Sequence, residues 1–178
     1  MELSSQRLLL KPLTVADIPA IHRLHSMPET DEYNTLGIPA SAAVTTDVVN
    51  EWLKDPTRKV WCITLKDTRE FIGLTAMTFK AVRFSSAEIS YKFDVAYWGK
   101  GLATEAVAIL LQYAFEDLQL HRVEAGCAVD NIGSARVLEK SGMQQEGRKR
   151  KALPIRGHWS DNFIYAILEE DYRQQKGR

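Results

Sequence analysis

Residues 87–106 read Ala-Glu-Ile-Ser-Tyr-Lys-Phe-Asp-Val-Ala-Tyr-Trp-Gly-Lys-Gly-Leu-Ala-Thr-Glu-Ala. Ile89, Tyr91, Phe93 and Val95 alternate with Glu88, Ser90, Lys92 and Asp94, which predicts a half-buried strand over Glu88–Val95. Tyr97 to Gly101 breaks the alternation. From Ala103 to Leu118 the period lengthens, and Val107, Leu110, Leu111, Ala114 and Leu118 share one side of an amphipathic helix. Between the two lies Trp98-Gly99-Lys100-Gly101-Leu102-Ala103-Thr104. Glycines there let the backbone approach a ligand, and the helix start offers unpaired amides and a positive dipole end. A phosphate or pyrophosphate suits such a turn, although a plain strand-to-helix turn also uses glycine.

Three phosphate chemistries compete for it. A P-loop needs a Lys followed by Ser or Thr after its last glycine, whereas Lys100 precedes Gly101. A dinucleotide fold needs a third glycine where Thr104 stands, although Asp130 does end the next predicted strand. It also expects the turn after the first strand of a parallel array, not after a hairpin region deep in the chain. The third chemistry is the pyrophosphate of coenzyme A.

Working outward, Arg7–Leu13 predicts a first strand, with Thr14 as N-cap and Asp17 three residues on. Ile18, Ile21 and Leu24 follow at helical spacing. Residues 26–45 hold Pro28, Gly37 and Pro39 and read as a loop or broken helix. Val48, Val49, Trp52 and Leu53 mark a second helix that stops at Asp55-Pro56. Val60–Leu65 and Glu70–Phe79 form a hairpin pattern. Arg122–Val129 predicts a strand, Ser134–Lys140 a short helix closed by Gly142, and Phe163–Leu168 a last strand before a charged tail from Glu169. The order β-α-α-β-β-β-α-β-α-β mixes hairpins with a crossover. It predicts a mixed α/β sheet with helices on both faces, in one domain spanning 1–178.

The 178 residues are 45% hydrophobic and 26% charged, an ordinary globular composition that rules out a wholly disordered chain. Lys plus Arg and Asp plus Glu are both 23, so no basic excess supports direct nucleic-acid binding. The longest apolar run, Ala106–Leu111, is far below the ~20 residues of a membrane span, and Met1–Ser4 lacks the features of a secretory signal. Cys62 and Cys127 read as buried, reduced thiols, which places the chain in the cytoplasm.

The loop block 87–106 resembles the acetyl-CoA loop of the GNAT N-acetyltransferase superfamily. More narrowly, it is similar to the branch of ribosomal-protein-alanine N-acetyltransferases. The likeness continues through Asn131-Ile132-Gly133-Ser134-Ala135-Arg136-Val137-Leu138-Glu139-Lys140-Ser141-Gly142-Met143. It also takes in Gln6–Leu10 and Trp159–Tyr165, leaving only residues 26–60 weakly placed. It implies a mostly antiparallel sheet whose strand through Phe93 splays from the strand through Cys127. Pantetheine would bond to main chain near Phe93 and Val95. The pyrophosphate would sit on Trp98, Gly99, Lys100, Gly101, Leu102, Ala103 and Thr104. Asn131 and Ser134 would face the pantetheine arm, and Lys140 would reach a phosphate. Acetyl-CoA is then the co-substrate, with no metal, and the acceptor an amine: a protein or peptide N-terminal α-amine. A small-molecule amine acetyltransferase and a non-catalytic acyl-CoA sensor are the rival readings. Relatives and open sheet edges imply a homodimer.

The sequence also departs from the superfamily pattern. Trp98 stands where Gln or Arg opens the loop, and Leu138 where a Tyr often serves as acid. The branch supplies a hydroxyl nearer the Asn, which here is Ser134. A base used in one subgroup would fall at Leu153 and is missing. Glu88, on the polar face of the loop strand, is the candidate base, and a bulge in that strand would change its direction. Asp161 reads either as a partner for a substrate ammonium or as a solvated strand-end carboxylate, and Trp159 as a packed aromatic, with His158-Trp159 lining the acceptor cleft as the alternative. His22 and His25 lack the supporting ligands a metal needs. Arg148-Lys149-Arg150-Lys151 reads as a solvated hairpin turn.

Overall fold

A computed structural model describes residues 1–177. Eight strands form one sheet in the order β1-β2-β3-β4-β5-β6-β8-β7. They are β1 (Leu3–Ser4), β2 (Leu8–Pro12), β3 (Arg58–Leu65), β4 (Phe71–Phe79), β5 (Ser86–Phe93), β6 (Arg122–Ala128), β7 (Gln144–Ile155) and β8 (His158–Leu168). The helices are α1 (Ile18–His25), α2 (Pro28–Asp31), α3 (Ala42–Lys54), α4 (Leu102–Gln112), α5 (Ile132–Lys140) and α6 (Glu169–Lys176). Every neighbouring pair of strands is antiparallel except β5 and β6.

Side-chain alternation gives the sheet two apolar faces. Val60, Cys62, Leu74 and Ala76 face Ile21, Leu24 and Val49 of α1 and α3. Trp61, Ile63, Met77, Ile89 and Val123 face the other way, against Ala106, Val107 and Leu110 of α4 and Leu138 of α5. Helices therefore cover both faces, as the element order predicts. The predicted N-cap Thr14 opens a 3-10 turn, Val15–Asp17, that leads into α1 at Ile18: the Asp17 carboxylate accepts from Thr14 N–H and Thr14 Oγ1, each at 2.8 Å.

Four local readings change. The strand of the loop block ends at Phe93, and Val95 opens a 3-10 turn, Val95–Tyr97, in which Asp94 caps Ala96 N–H at 3.0 Å. No bulge interrupts β5, whose register with β4 is continuous from Ala87 to Phe93. Residues 148–151 lie not in a turn but in β7, an edge strand whose breaks in register let successive charged side chains reach solvent. The charged tail is helical from Glu169, where the Asp171 carboxylate accepts from Leu168 N–H at 3.1 Å.

The parallel pairing of β5 with β6 extends only over Ser86↔Arg122, Ala87↔Val123 and Glu88↔Glu124. Beyond Glu88, β5 stays with β4 to Phe93, while β6 stays with β8 to Ala128. A wedge therefore opens in the middle of the sheet.

His25 is buried on the α1 face, edge-on to Trp52 with ring centroids 5.9 Å apart. Burial, helped by the charges of Lys92 and His22, pushes its imidazole down to about 4. The unfolded chain binds a proton between about pH 6.5 and 4 that the folded chain refuses, so stability is complete above 6.5 and falls as pH drops. Urea unfolding should show a loss of about 2 kcal/mol between pH 7.5 and 5, and His25→Gln should flatten that slope.

Candidate active site

The wedge exposes main chain. Asp94 N–H bonds to Ile72 C=O at 2.9 Å, which fixes the phase of the β4–β5 ladder. In that phase Ser90 and Lys92 direct their peptide groups toward β4, and Tyr91 and Phe93 direct theirs into the wedge. The Phe93 carbonyl is already engaged by the Trp98 indole N–H at 2.9 Å. The Val95 carbonyl accepts from Trp98 N–H at 3.1 Å within its turn. Tyr91, rather than Val95, is thus the second residue whose main chain faces the gap. Its place on the apolar face of the predicted strand had marked it only as core.

At the wide end of the wedge, Gly99 and Gly101 adopt φ of +73° and +75°, and Gly101 is the N-cap of α4. A left-handed φ at both positions explains why glycine stands there. Arg7 holds this turn from the start of β2. Its guanidinium meets Glu105, in the first turn of α4, with Nε at 2.6 Å, and donates to the Lys100 carbonyl at 3.2 Å. Glu105 also accepts from Ser5 Oγ at 2.6 Å and Arg7 N–H at 3.0 Å, contacts that hold its carboxyl below the usual range. This clamp joins residues about a hundred apart in sequence, and nothing local in the sequence announces it.

On the other side, Asn131 caps α5 by accepting from Ser134 N–H at 3.0 Å. The Ser134 hydroxyl meets the Tyr91 phenol at 2.8 Å, so the start of α5 is tied to β5 across the gap. Burial holds the Tyr91 phenol well above its ordinary pKa, so it stays protonated. A cleft of about 260 Å³ gathers Glu88, Tyr91, Asn131, Ser134 and Leu153. Glu88 and Ser134 reach it from opposite faces. Glu88 shares the face of Thr78 and Glu124, whereas Tyr91 and Ser134 lie on the face of α4 and α5.

The remaining candidates divide. Lys140 is exposed in the last turn of α5, six residues and about 9 Å along the axis from Ser134. Leu138 is fully buried core. Asp161 is engaged by Arg148 Nε at 2.6 Å and Lys151 N–H at 2.7 Å, which lower its pKa and occupy it structurally. Trp159 is 64% exposed rather than packed. His22 Nδ1 pairs with Thr45 Oγ1 at 2.8 Å, and no group of three or more His, Cys, Asp or Glu converges among the described residues.

A split parallel strand pair, with a left-handed glycine turn feeding a helix, forms a cradle for an extended ligand that ends in a phosphate. The family model described as the acetyltransferase (GNAT) domain matches residues 7–144, and the chain belongs to that family. It is 40% identical over 151 residues to the Bacillus subtilis protein named "Probable N-acetyltransferase YjcK", covering 84% of this chain and 81% of that one. It is 27% identical over 127 residues to the ribosomal protein uS5-alanine N-acetyltransferase of Escherichia coli, covering 70% and 65% respectively. Among solved structures, a GNAT-family acetyltransferase from Bacillus anthracis superposes with a TM-score of 0.85 at 30% identity, over 96% of this chain and 99% of that one. The fold is shared too by a spermidine N-acetyltransferase from Vibrio cholerae in complex with CoA and spermine, with a TM-score of 0.85 at 24% identity, over 95% and 99%.

Gly101→Val forces a β-branched residue into the left-handed region, which should lower stability by about 1–2 kcal/mol. Acetyl-CoA affinity should fall much further, to below detection by calorimetry. An unchanged affinity in the folded variant would separate this turn from coenzyme binding, and titration with NAD should give no heat.

Proposed function

We propose that this protein transfers the acetyl group of acetyl-CoA to the N-terminal α-amine of a protein or peptide, by direct attack in a ternary complex. The observation that carries the reading is the parting of β5 from β6 after Glu88. It leaves the Tyr91 and Phe93 main chain facing a gap that ends at the glycine turn. Acetyl-CoA supplies the acetyl group as a thioester.

The residues divide the work by position. Main-chain groups of Tyr91 and Phe93 hold the pantetheine arm as a strand would, and residues 98–104 hold the pyrophosphate with backbone amides at the α4 N-terminus. Lys100 and Lys140 add charge toward the phosphates, and Asn131 orients the arm. A main-chain N–H of β5 meets the negative charge that builds on the acyl oxygen. The acceptor amine reacts only when neutral, and Glu88, on the opposite face from Ser134, takes its proton. As nitrogen bonds to the acyl carbon and the carbon–sulfur bond breaks, the nitrogen loses its remaining extra proton to solvent, while Ser134 gives a proton to the leaving sulfur and regains one from solvent. The Tyr91 phenol, kept protonated by burial, holds that hydroxyl in place at 2.8 Å.

The α-amine acceptor rests on the E. coli relative, whose name assigns it an alanine of a ribosomal protein. A polyamine is the rival acceptor, and an acyl-CoA sensor without turnover the rival class. A thiol-release assay with alanine-starting peptides, spermidine and free amino acids separates them, and peptides should be the substrates. The two free, buried cysteines support a cytoplasmic setting. We also propose a homodimer, and light scattering that finds a single 20.2 kDa chain at micromolar concentration would overturn it.

Ser134→Ala should lower kcat by roughly ten- to a hundredfold with little change in acetyl-CoA affinity, because coenzyme A thiolate is a fair leaving group without help. Tyr91→Phe should lower kcat less, by about threefold to tenfold. Glu88→Gln should depress activity at neutral pH and recover at high pH, where neutral amine is abundant. Wild-type kcat for both Ser134→Ala and Glu88→Gln from pH 6 to 10 would leave catalysis to positioning, with water as base.

A further inference from the structure

Two side-chain amides in the cleft each bury one polar atom that has no protein partner. Asn34, in the segment between α2 and α3, uses its Oδ1 to accept from Leu36 N–H at 3.3 Å, and its Nδ2 is buried without a hydrogen bond. Asn162, in β8, buries its Oδ1 without a partner. Both line the cleft that holds Glu88 and Ser134. Gly126 of β6 makes room for Asn162: a Cβ there would come within 2.9 Å of Asn162 Nδ2.

The two asparagines are held in place relative to each other. Arg156, at the tip of the β7–β8 hairpin, donates to the Pro28 carbonyl at 2.7 Å and to Asp31 Oδ2 at 3.3 Å. Residue 156 shares its hairpin with Asn162, and Pro28 and Asp31 form α2, just before Asn34. The clamp thus ties together the two segments that carry these asparagines, both of which line the cleft. Asn162 pairs with Ala128 in register and shares the face of Gly126 and Glu88, the face from which the acceptor amine is deprotonated in the proposal above.

A buried donor and a buried acceptor left unmade are expensive unless a ligand completes them. We infer that Asn34 and Asn162 together read the first peptide unit of the acceptor: Asn34 Nδ2 donates to its C=O and Asn162 Oδ1 accepts from its N–H. This rests on the α-amine reading and sharpens it, because the specificity is for an amine followed by an amide. A polyamine carries donors only and leaves Asn34 Nδ2 unmatched.

The test uses the full chain with acetyl-CoA and three acceptors: an alanine-starting hexapeptide, its analogue with the first peptide N–H replaced by an ester oxygen, and spermidine. The ester should raise KM about three- to tenfold with wild-type protein, as loss of one neutral hydrogen bond does. Asn162→Ala and Asn34→Ala should each raise the peptide KM by a similar factor and leave the KM for acetyl-CoA where it was. Asn162→Ala should cause no further loss with the ester, since that bond is already gone, whereas Asn34→Ala should still do so. Equal use of peptide and ester by wild-type protein, which needs no variant to fold, overturns the inference and leaves the α-amine reading standing. So does a peptide KM unmoved by either substitution. Turnover of spermidine without turnover of peptide overturns both.

Discussion

The parallel ladder between β5 and β6 runs for three residue pairs and then stops. A sheet interior normally satisfies every peptide group with a neighbouring strand, so a strand left open in the middle of an eight-stranded sheet needs another partner. Here the neighbours on either side stay intact, β4 with β5 and β6 with β8, so the opening is confined to one seam. Everything that defines the site borders that seam. The glycine turn lies at its wide end, the Asn131 cap of α5 on one side, and the polar edge of β5 on the other.

What keeps the seam from closing or spreading is a small set of long-range polar contacts. Tyr91 and Ser134 tie the two sides together at 2.8 Å, and the Arg7–Glu105 pair binds the glycine turn to the start of the chain. Glu105 is one-sixth exposed in its side chain and accepts from Ser5 and Arg7 together, so this pair is better ordered than an isolated surface ion pair. Glycine gives the turn its shape, and Arg7 gives it a fixed position against the sheet.

Placement of Glu88 and Ser134 on opposite faces gives the wedge a direction. In the proposed reaction a proton leaves the attacking nitrogen on the α1–α3 side while another reaches the departing sulfur on the α4–α5 side. The two transfers then do not compete for one group. In the proposed reaction the acceptor lies near the segment after α2 and the β7–β8 hairpin, which Arg156 ties together.

The sequence by itself determined the strand-turn-helix of residues 87–106 and the entry into the first helix, because period, glycine and capping are local signals. Its resemblance to the family placed Glu88, Asn131 and Ser134 as candidates, and the fold brings all three to one cleft. It did not reveal β7, because an edge strand with broken register exposes its charges and carries no apolar alternation. It extended β5 to Val95, because hydrophobic alternation outruns the ladder when a 3-10 turn follows in phase. Tyr91 reads as core from its alternation, and no local signal singles out Arg7, Asn34, Arg156 or Asn162. Their roles depend on contacts between segments distant in sequence, and only the tertiary structure, by setting where β5 leaves β6, decides which of them meet.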